Sequence, residues 1–566
     1  MTIDMIGYAI VVIFIIVFAR RKSILERKEG IMRKIAILLA GILLCGFMAG
    51  EAGAARSGGT FNFCVPYGGD LLTLDAHKGQ RVNDLIVALS LNSSLYSWDP
   101  ENNRPKLELG EKADVSPDGL VYRIHLKKNV KFHNGRGMTA DDVIWSYERI
   151  MSPKVASASA RFVRLIKGAK DYEDGKADKI PGLRKIDKFT LEITMETPVD
   201  PAFTLYEIGT AILPREEVEK KGDDFGSDPV GCGPFKFVKW VKGSEIVLVK
   251  NPDYYEKGKP YLDKLIYKNM PEGASRDMAF RAKELDATVV GSTQYPGYKA
   301  DPQISKNMVE VAELFTRLIG FNPKFEPFAK KQVRQAINYA IDSRLIIQKL
   351  LKEKAFPCVG YLPSTSPAFD PKAKGYEFNL PKAKTLMKEA GYEKGFTFEC
   401  IGTANEAWGV VVVEAIMPFL KQINVTVKPQ QLEGAAHADQ IRKMDFQAFI
   451  WSLSSGAGGD PLQALNRWYS KNPATAGNFV AYNNPEFDKL LDAAAQIRDV
   501  SKRIELLRKA DAIFREDAPV WFFNYNKAVV AHQPWVHGIK PVAIEMMYQN
   551  MADVWIEESS PRGREK

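Results

Sequence analysis

Two runs rich in Phe, Val and Ile, Phe235–Trp240 and Glu245–Lys250, flank the polar break Val241–Ser244, a pattern that predicts a β-hairpin. Ahead of them Gly231, Gly233 and Pro234 bracket Cys232, where the missing side chains permit a tight approach of backbone. Strands are also predicted over Thr60–Val65, Leu120–Leu126, Phe189–Met195 and Tyr261–Lys268. Between them, helical spacing covers Asp84–Leu95, and Thr139 with Asp141 and Asp142 caps a helix through Ile150. Thr204–Glu219 reads as a helix-containing connection, and Met278–Leu285 as a short helix.

From about Arg317 the pattern changes. A strand over Arg317–Phe321 gives way to one helical face carrying Val333, Ala336, Ile337, Ala340, Ile341 and Leu345, interrupted at Asp342-Ser343-Arg344. Helices over Leu380–Ala390 and Val410–Gln422 then alternate with strands over Phe396–Ile401, Val425–Lys428 and Phe446–Trp451. This is the pattern of a βαβ lobe. Glu486–Phe514 supplies two more helices, and Val520–Phe523 and Val529–Ala531 are buried strands that lead back to the first lobe. A chain of 566 residues exceeds one ordinary core, so two or three domains are expected. The reading is an α/β protein divided into 1–54, a leader; 55–104, 186–312 and 519–566, three parts of a first lobe; 105–185, a small inserted domain; and 313–518, a second lobe. Hinges are expected near Val311–Leu318 and Pro519–Asn524.

Composition narrows the function. Hydrophobic content of 45% and charged content of 26% are those of a globular protein. Of the net charge of +9, residues 1–54 hold +3 and the remaining residues +6, with no basic-aromatic array; nucleic-acid binding is excluded. Two apolar runs, Ile6–Phe18 and Ile35–Phe47, flank a basic stretch. Arg33-Lys34, the second run and Ala52-Gly53-Ala54 make a secretory signal with cleavage before Ala55 and translation from Met32; if residues 1–31 are translated, the alternative is an N-terminal membrane anchor. Cys64, Cys232, Cys358 and Cys400 allow a disulfide without selecting one, and their spacing suggests no metal site. Neither an H-E-x-x-H helix, a G-x-S-x-G elbow nor a P-loop is present, and the six histidines are scattered. No catalytic residue, metal or cofactor is assigned.

The string DPVGCGPFKFVKWVKGSEIVLVKNPDYY, from Asp228 to Tyr255, resembles the signature of the extracytoplasmic solute-binding proteins of the peptide and nickel transporter family (family 5). Cys232 stands where that signature has Thr. Leu74-Asp75-Ala76, Phe132-His133-Asn134-Gly135, Thr139–Val143, Glu284-Leu285-Asp286, VRQAINYAIDSRLII from Val333 and Ala390-Gly391-Tyr392 resemble further family motifs in the family's order, so the resemblance spans about Gly59–Glu557. It implies a two-lobed periplasmic binding protein fold of type II, in the large cluster C form, with an extra small α+β domain inserted in the first lobe. It implies further a monomeric, periplasmic or cell-surface component of an ABC importer that captures a peptide or related solute and passes it to membrane permease subunits served by ATPases. The alternatives are a secreted hydrolase of peptides or esters and a membrane-anchored receptor.

Trp451–Pro461 (WSLSSGAGGDP) follows a predicted strand, the end of an open α/β sheet where ligands bind. Trp451, Ser452, Ser454 and Asp460 are the candidate ligand contacts there, although Trp451 reads equally as a core residue. The resemblance adds Trp408, at a helix start, and Tyr67 from the other lobe. Peptide-binding relatives carry an Asp three residues after this Trp for the ligand's α-amino group; here the position is Ser454, which argues against free-amine peptides.

Overall fold

The structure is a computed structural model that describes residues 58–65, 70–79, 82–102, 104–197, 199–405, 407–455, 460–497, 499–540, 542–543 and 549–562. Residues 1–54, expected to be a leader, and Tyr67 lie outside the described residues.

Strand β1 (Thr60–Val65) is buried along its whole length and pairs in parallel with Lys264–Asn269. The inserted domain is a four-stranded antiparallel sheet of β2 (Gly110–Val115), β3 (Val121–Leu126), β4 (Leu183–Asp187) and β5 (Thr190–Thr194) in the order β2-β3-β5-β4. Helix Ala140–Met151 packs on it through Val143, Tyr147 and Ile150. The predicted hairpin forms as β6 (Phe235–Val241) and β7 (Glu245–Lys250), and β8 (Lys264–Asn269) completes the first-lobe sheet β1-β8-β7-β6.

Apart from two short strand pairs, Tyr96–Asp99 with Arg104–Leu107 and Val536–His537 with Trp555–Ile556, the other strands among the described residues form one seven-stranded sheet: β9 (Ala287–Val289), β10 (Met308–Phe321), β11 (Ala355–Pro357), β12 (Thr397–Gly402), β13 (Thr426–Gln431), β14 (Ala448–Ser454) and β15 (Val520–His532). Their order is β9-β15-β10-β14-β12-β13, with β11 on β15. Helix Lys331–Ala340 buries Val333, Ala336, Ile337 and Ala340 on one side of the second lobe. Each large apolar side chain there contributes about 1.5–3 kcal/mol by leaving water.

Strands β10 and β15 are longer than the sequence pattern indicates. The apolar run before Arg317 contains Glu310 and Glu313, which mask a strand that begins at Met308. Similarly Asn524, Asn526 and Lys527 sit inside one continuous β15 where two strands are predicted. Both strands run from the first lobe, where Val529 and Val530 join its core, to the second, where Trp521 and Ile319 join another. Between Ala312 and Thr316 on β10, paired with Lys527 and Tyr525 on β15, the register slips. This break lies within the predicted hinge on β10 and just beyond it on β15. The short helix of the first lobe forms over Gly273–Arg281, earlier than predicted, because Lys283 adopts a φ of 62° after it.

The motifs behind the family resemblance turn out to be clasps. Gly233 donates its amide to the Leu91 carbonyl at 2.9 Å, ending helix Val82–Leu91. A Cβ at Gly231 would lie 2.1 Å from that carbonyl oxygen, and one at Gly233 would lie 2.5 Å from its carbon, so neither position accepts a side chain. His133 holds the same turn: its amide reaches Gly231 O at 2.8 Å, its Nδ1 accepts from the Gly231 amide at 3.2 Å, and its Nε2 faces Gly233 O at 3.1 Å. Asp286 closes the edge of β1. It exchanges hydrogen bonds with Asn62 at 2.7 and 2.9 Å and holds Arg562 at 2.8 Å and Trp535 Nε1 at 2.9 Å.

Candidate functional site

Strand β14 ends at the place where β10 crosses between lobes. Its alternation sends Phe449 and Leu453 into one core and Ala448 and Ile450 toward another, while Trp451, Ser452 and Ser454 stay half-buried. On one side it pairs with β10 from Phe321 to Phe315. On the other, β12 accompanies it only through Ala448 and Phe449. Beyond that point, no strand among the described residues lies along its second edge. Since the Ser455 amide bonds back to Leu314 O at 2.9 Å, the peptide groups of alternate residues point toward β10 and those of Ser452 point to the open edge.

The structure separates the predicted contacts. Trp451 shares a face with Phe449 and Leu453 and is wedged between His437, ring centroids 5.4 Å apart, and Phe479, stacked at 5.6 Å. The Arg467 guanidinium lies 5.7 Å from the Phe479 ring. Trp451 is thus largely a packing residue with a remaining exposed margin, and His437 beside it has its pKa lowered by burial. Ser452 and Ser454 project from the opposite face, opposite Arg317 and Phe315 of β10. The Ser454 carbonyl accepts a hydrogen bond from Tyr361 Oη at 2.9 Å, which fixes the end of the strand.

Asp460 is 2% exposed and fully engaged. Its carboxylate accepts the Leu462 amide at 3.0 Å, capping helix Pro461–Asn466, and pairs with Arg503 at 2.8 and 3.1 Å. Asp460 therefore has no spare charge for a ligand ammonium, and Ser454 has none at all. Trp408 is half-buried in the turn before helix Val410–Lys421, its amide donating to Asn405 Oδ1 at 3.1 Å. A Cβ at Gly409 would come within 2.2 Å of Thr403 O, so this turn requires glycine. Tyr67 is outside the described residues.

Two features of the site were not foreseen from sequence. Asp200 caps the turn before helix Ala202–Leu205, donating no proton but accepting the Ala202 amide at 2.9 Å. It is exposed to solvent yet surrounded by protein, which raises its pKa; Asp460 raises it further and Arg503 lowers it. The second is a buried polar cluster at the strand crossing. Glu313 and Arg317 pair at 3.5 Å, Asn526 Nδ2 donates to Glu313 Oε1 at 2.9 Å, and Arg317 Nη1 lies 3.4 Å from Asn524 Oδ1. Lys354, 4% exposed, donates to the Lys527 carbonyl at 2.8 Å; burial pushes its pKa down to about 8. The sequence signal was a Glu and an Arg four residues apart inside an apolar strand, hence on one face. Among the described residues, Cys64, Cys232, Cys358 and Cys400 are buried and free of disulfides, and no group of His, Cys, Asp and Glu is arranged to hold a metal ion.

A family model described as bacterial extracellular solute-binding proteins, family 5 Middle, matches residues 104–476. Heme-binding protein A of Haemophilus influenzae is 30% identical over 434 residues, covering 73% of this chain and 77% of that protein. The oligopeptide-binding protein AppA of Bacillus subtilis is 28% identical over 549 residues, covering 91% of this chain and 96% of that protein. Among solved structures, HbpA2 from Haemophilus parasuis superposes with a TM-score of 0.76 at 24% identity, covering 88% of this chain and all (100%) of that chain, which establishes the shared two-lobed fold.

Proposed function

Because the chain belongs to the bacterial extracellular solute-binding proteins of family 5, we infer that it is the substrate-binding component of an ABC importer, capturing a peptide or related small solute between its lobes and delivering it to the membrane permease. The open edge of β14 carries the reading. Ser452 offers backbone donor and acceptor groups where β12 has ended, the arrangement that an extended ligand satisfies by strand addition. Lobe closure would then proceed about the register break at Ala312–Thr316. Trp451, Ser452, Ser454, Trp408 and Tyr67 line the ligand cleft in this reading, with Asp460 holding Arg503 in place. Energy for transport comes from the partner ATPases, and no bond of the ligand is broken. The family is extracytoplasmic, and the leader 1–54 directs the chain to the periplasm or cell surface, where it acts as a monomer. The first lobe comprises 55–104, 195–312 and 519–566, the second 313–518, with 105–194 as the inserted domain, its end moved from 185 because Thr190–Thr194 pairs within the inserted sheet.

Relatives bind different cargo: the name of one specifies heme and that of another oligopeptides. In this chain the engaged Asp460 and neutral Ser454 favour a solute without a free α-ammonium, since burying an unpaired charge is costly. Thermal-shift screening of the chain from Ala55 against blocked and unblocked peptides, amines, sugars and metal chelates tests this, with mass spectrometry of each positive ligand afterwards. The expected result is a saturable shift with the ligand recovered intact. Cleavage of the ligand would instead support a hydrolase.

A further inference from the structure

Helix Pro461–Asn466 follows β14, and Arg467 is its C-cap. Arg467 is half-buried, and its guanidinium lies 5.7 Å from the Phe479 ring, which in turn stacks on Trp451 at 5.6 Å. A Cβ at Gly477 would lie 3.2 Å from Arg467 Cγ and Nη1, so the glycine leaves room for this side chain. Tyr361 brings the same guanidinium to the open edge of the strand. The Ser455 amide points to β10, so the Ser454 carbonyl across that trans peptide points away from β10, and Tyr361 Oη donates to it at 2.9 Å. Burial raises the pKa of that hydroxyl, and Arg467 beside it opposes the rise. Arg467 thus joins the Trp451–Phe479 wall to the hydroxyl that holds the end of β14.

No carboxylate among the described residues pairs with this guanidinium. Asp460, at the start of the same helix, is held by Arg503 and the Leu462 amide. Asp511, which also acts on Tyr361, accepts the Tyr361 and Leu362 amides at 3.0 and 3.2 Å. Gly-Ala-Gly-Gly, between Ser455 and Asp460, adds no acid. By contrast Arg317, opposite Ser452 on β10, has Glu313 at 3.5 Å. Arg467 Nε is buried without a hydrogen-bond partner among the described residues, which leaves Nη1 and Nη2 as the accessible nitrogens of the group. A guanidinium partly withdrawn from water and unpaired is costly unless a ligand supplies the anion.

Resting on the reading that an extended solute adds to the edge of β14, we propose that Arg467 is an anion subsite of the cleft, where Nη1 and Nη2 pair with a carboxylate that the solute presents at the end of β14. The planar fork of the guanidinium matches a carboxylate with two parallel hydrogen bonds. A peptide held this way by its C-terminal carboxylate runs parallel to β14, with its blocked amino end away from Ser454. The charge at this end of the strand is then opposite to the carboxylate that the family resemblance implies at position 454, and the solute is acidic there rather than basic.

Calorimetric titration of the chain from Ala55 with two matched pools of N-acetylated tripeptides, one with free C-terminal carboxylates and one with C-terminal amides, tests the subsite. The wild-type chain is expected to bind the carboxylate pool more tightly by about tenfold. Arg467→Gln is expected to erase that preference, and Arg467→Lys, which keeps the charge but not the fork, to retain part of it. Arg467→Met, which keeps an unbranched stem against Phe479, gives the same readout as Arg467→Gln if the latter does not fold by circular dichroism. Equal binding of the two pools by the wild-type chain, or a full preference in folded Arg467→Gln or Arg467→Met, would overturn the subsite and leave the solute-binding reading standing. No saturable binding of either pool would overturn that reading and the subsite with it.

Discussion

Two side chains near the end of β14 carry the proposed selectivity of the cleft. Asp460 looks available in the sequence, but in the fold its carboxylate is consumed by the Leu462 amide and Arg503. Ser454 carries no charge where the family resemblance implies a carboxylate. Ser454→Asp is therefore expected to raise affinity for unblocked tripeptides by about tenfold, or about 1.4 kcal/mol, as read by calorimetry. Trp451 illustrates the limit of reading a residue from its type. An aromatic at a strand end fits a cleft wall and a core equally well, and only the packing of His437 and Phe479 on its two sides assigns most of its surface to packing.

Among elements, the crossing strands β10 and β15 carry the largest polar anomaly. Glu313 and Arg317 are both nearly buried in the segment where register slips. Removing one charge leaves the other unpaired in a low-dielectric setting, so Arg317→Met is expected to cost about 3–5 kcal/mol in denaturant unfolding. Adding Glu313→Gln to that variant should restore a large part of the loss, because the carboxylate that faced Arg317 is then neutral. The elements themselves were largely legible: β1, β7 and the helix capped by Thr139 follow from alternation and capping alone. The lengths of β10 and β15 were not legible, because Glu313, Asn524 and Asn526 sit inside the strands and break the apolar pattern. The open edge of β14 was equally hidden, since it depends on where β12, distant in sequence, stops pairing.

At the scale of the whole molecule, opposing titrations shape stability. His77 is fully buried, accepts from Arg149 and faces Ala211 O through Nε2, and burial lowers its pKa from 6.5 to about 4. The unfolded chain takes up that proton first, so His77 makes stability fall on acidification through this window, and His133, lowered to about 4, acts with the same sign. Glu108 and Asp511, raised by burial to about 7 and about 6, retain protons that the unfolded chain has lost, so they make stability fall as pH rises. The wild-type chain is therefore expected to change little in unfolding free energy between about pH 5 and about pH 6.5. Glu108→Gln should gain about 2 kcal/mol across the same interval, measured by denaturant curves at both ends. The central claim is that two lobes close on an extended solute whose end at β14 carries no ammonium. Calorimetric titration of the chain from Ala55 with matched pools of N-acetylated and free-amine tripeptides tests it most directly. The account predicts saturable binding of the acetylated pool, tighter by about tenfold or more; equal or tighter binding of the free-amine pool, or no binding of either, would contradict it.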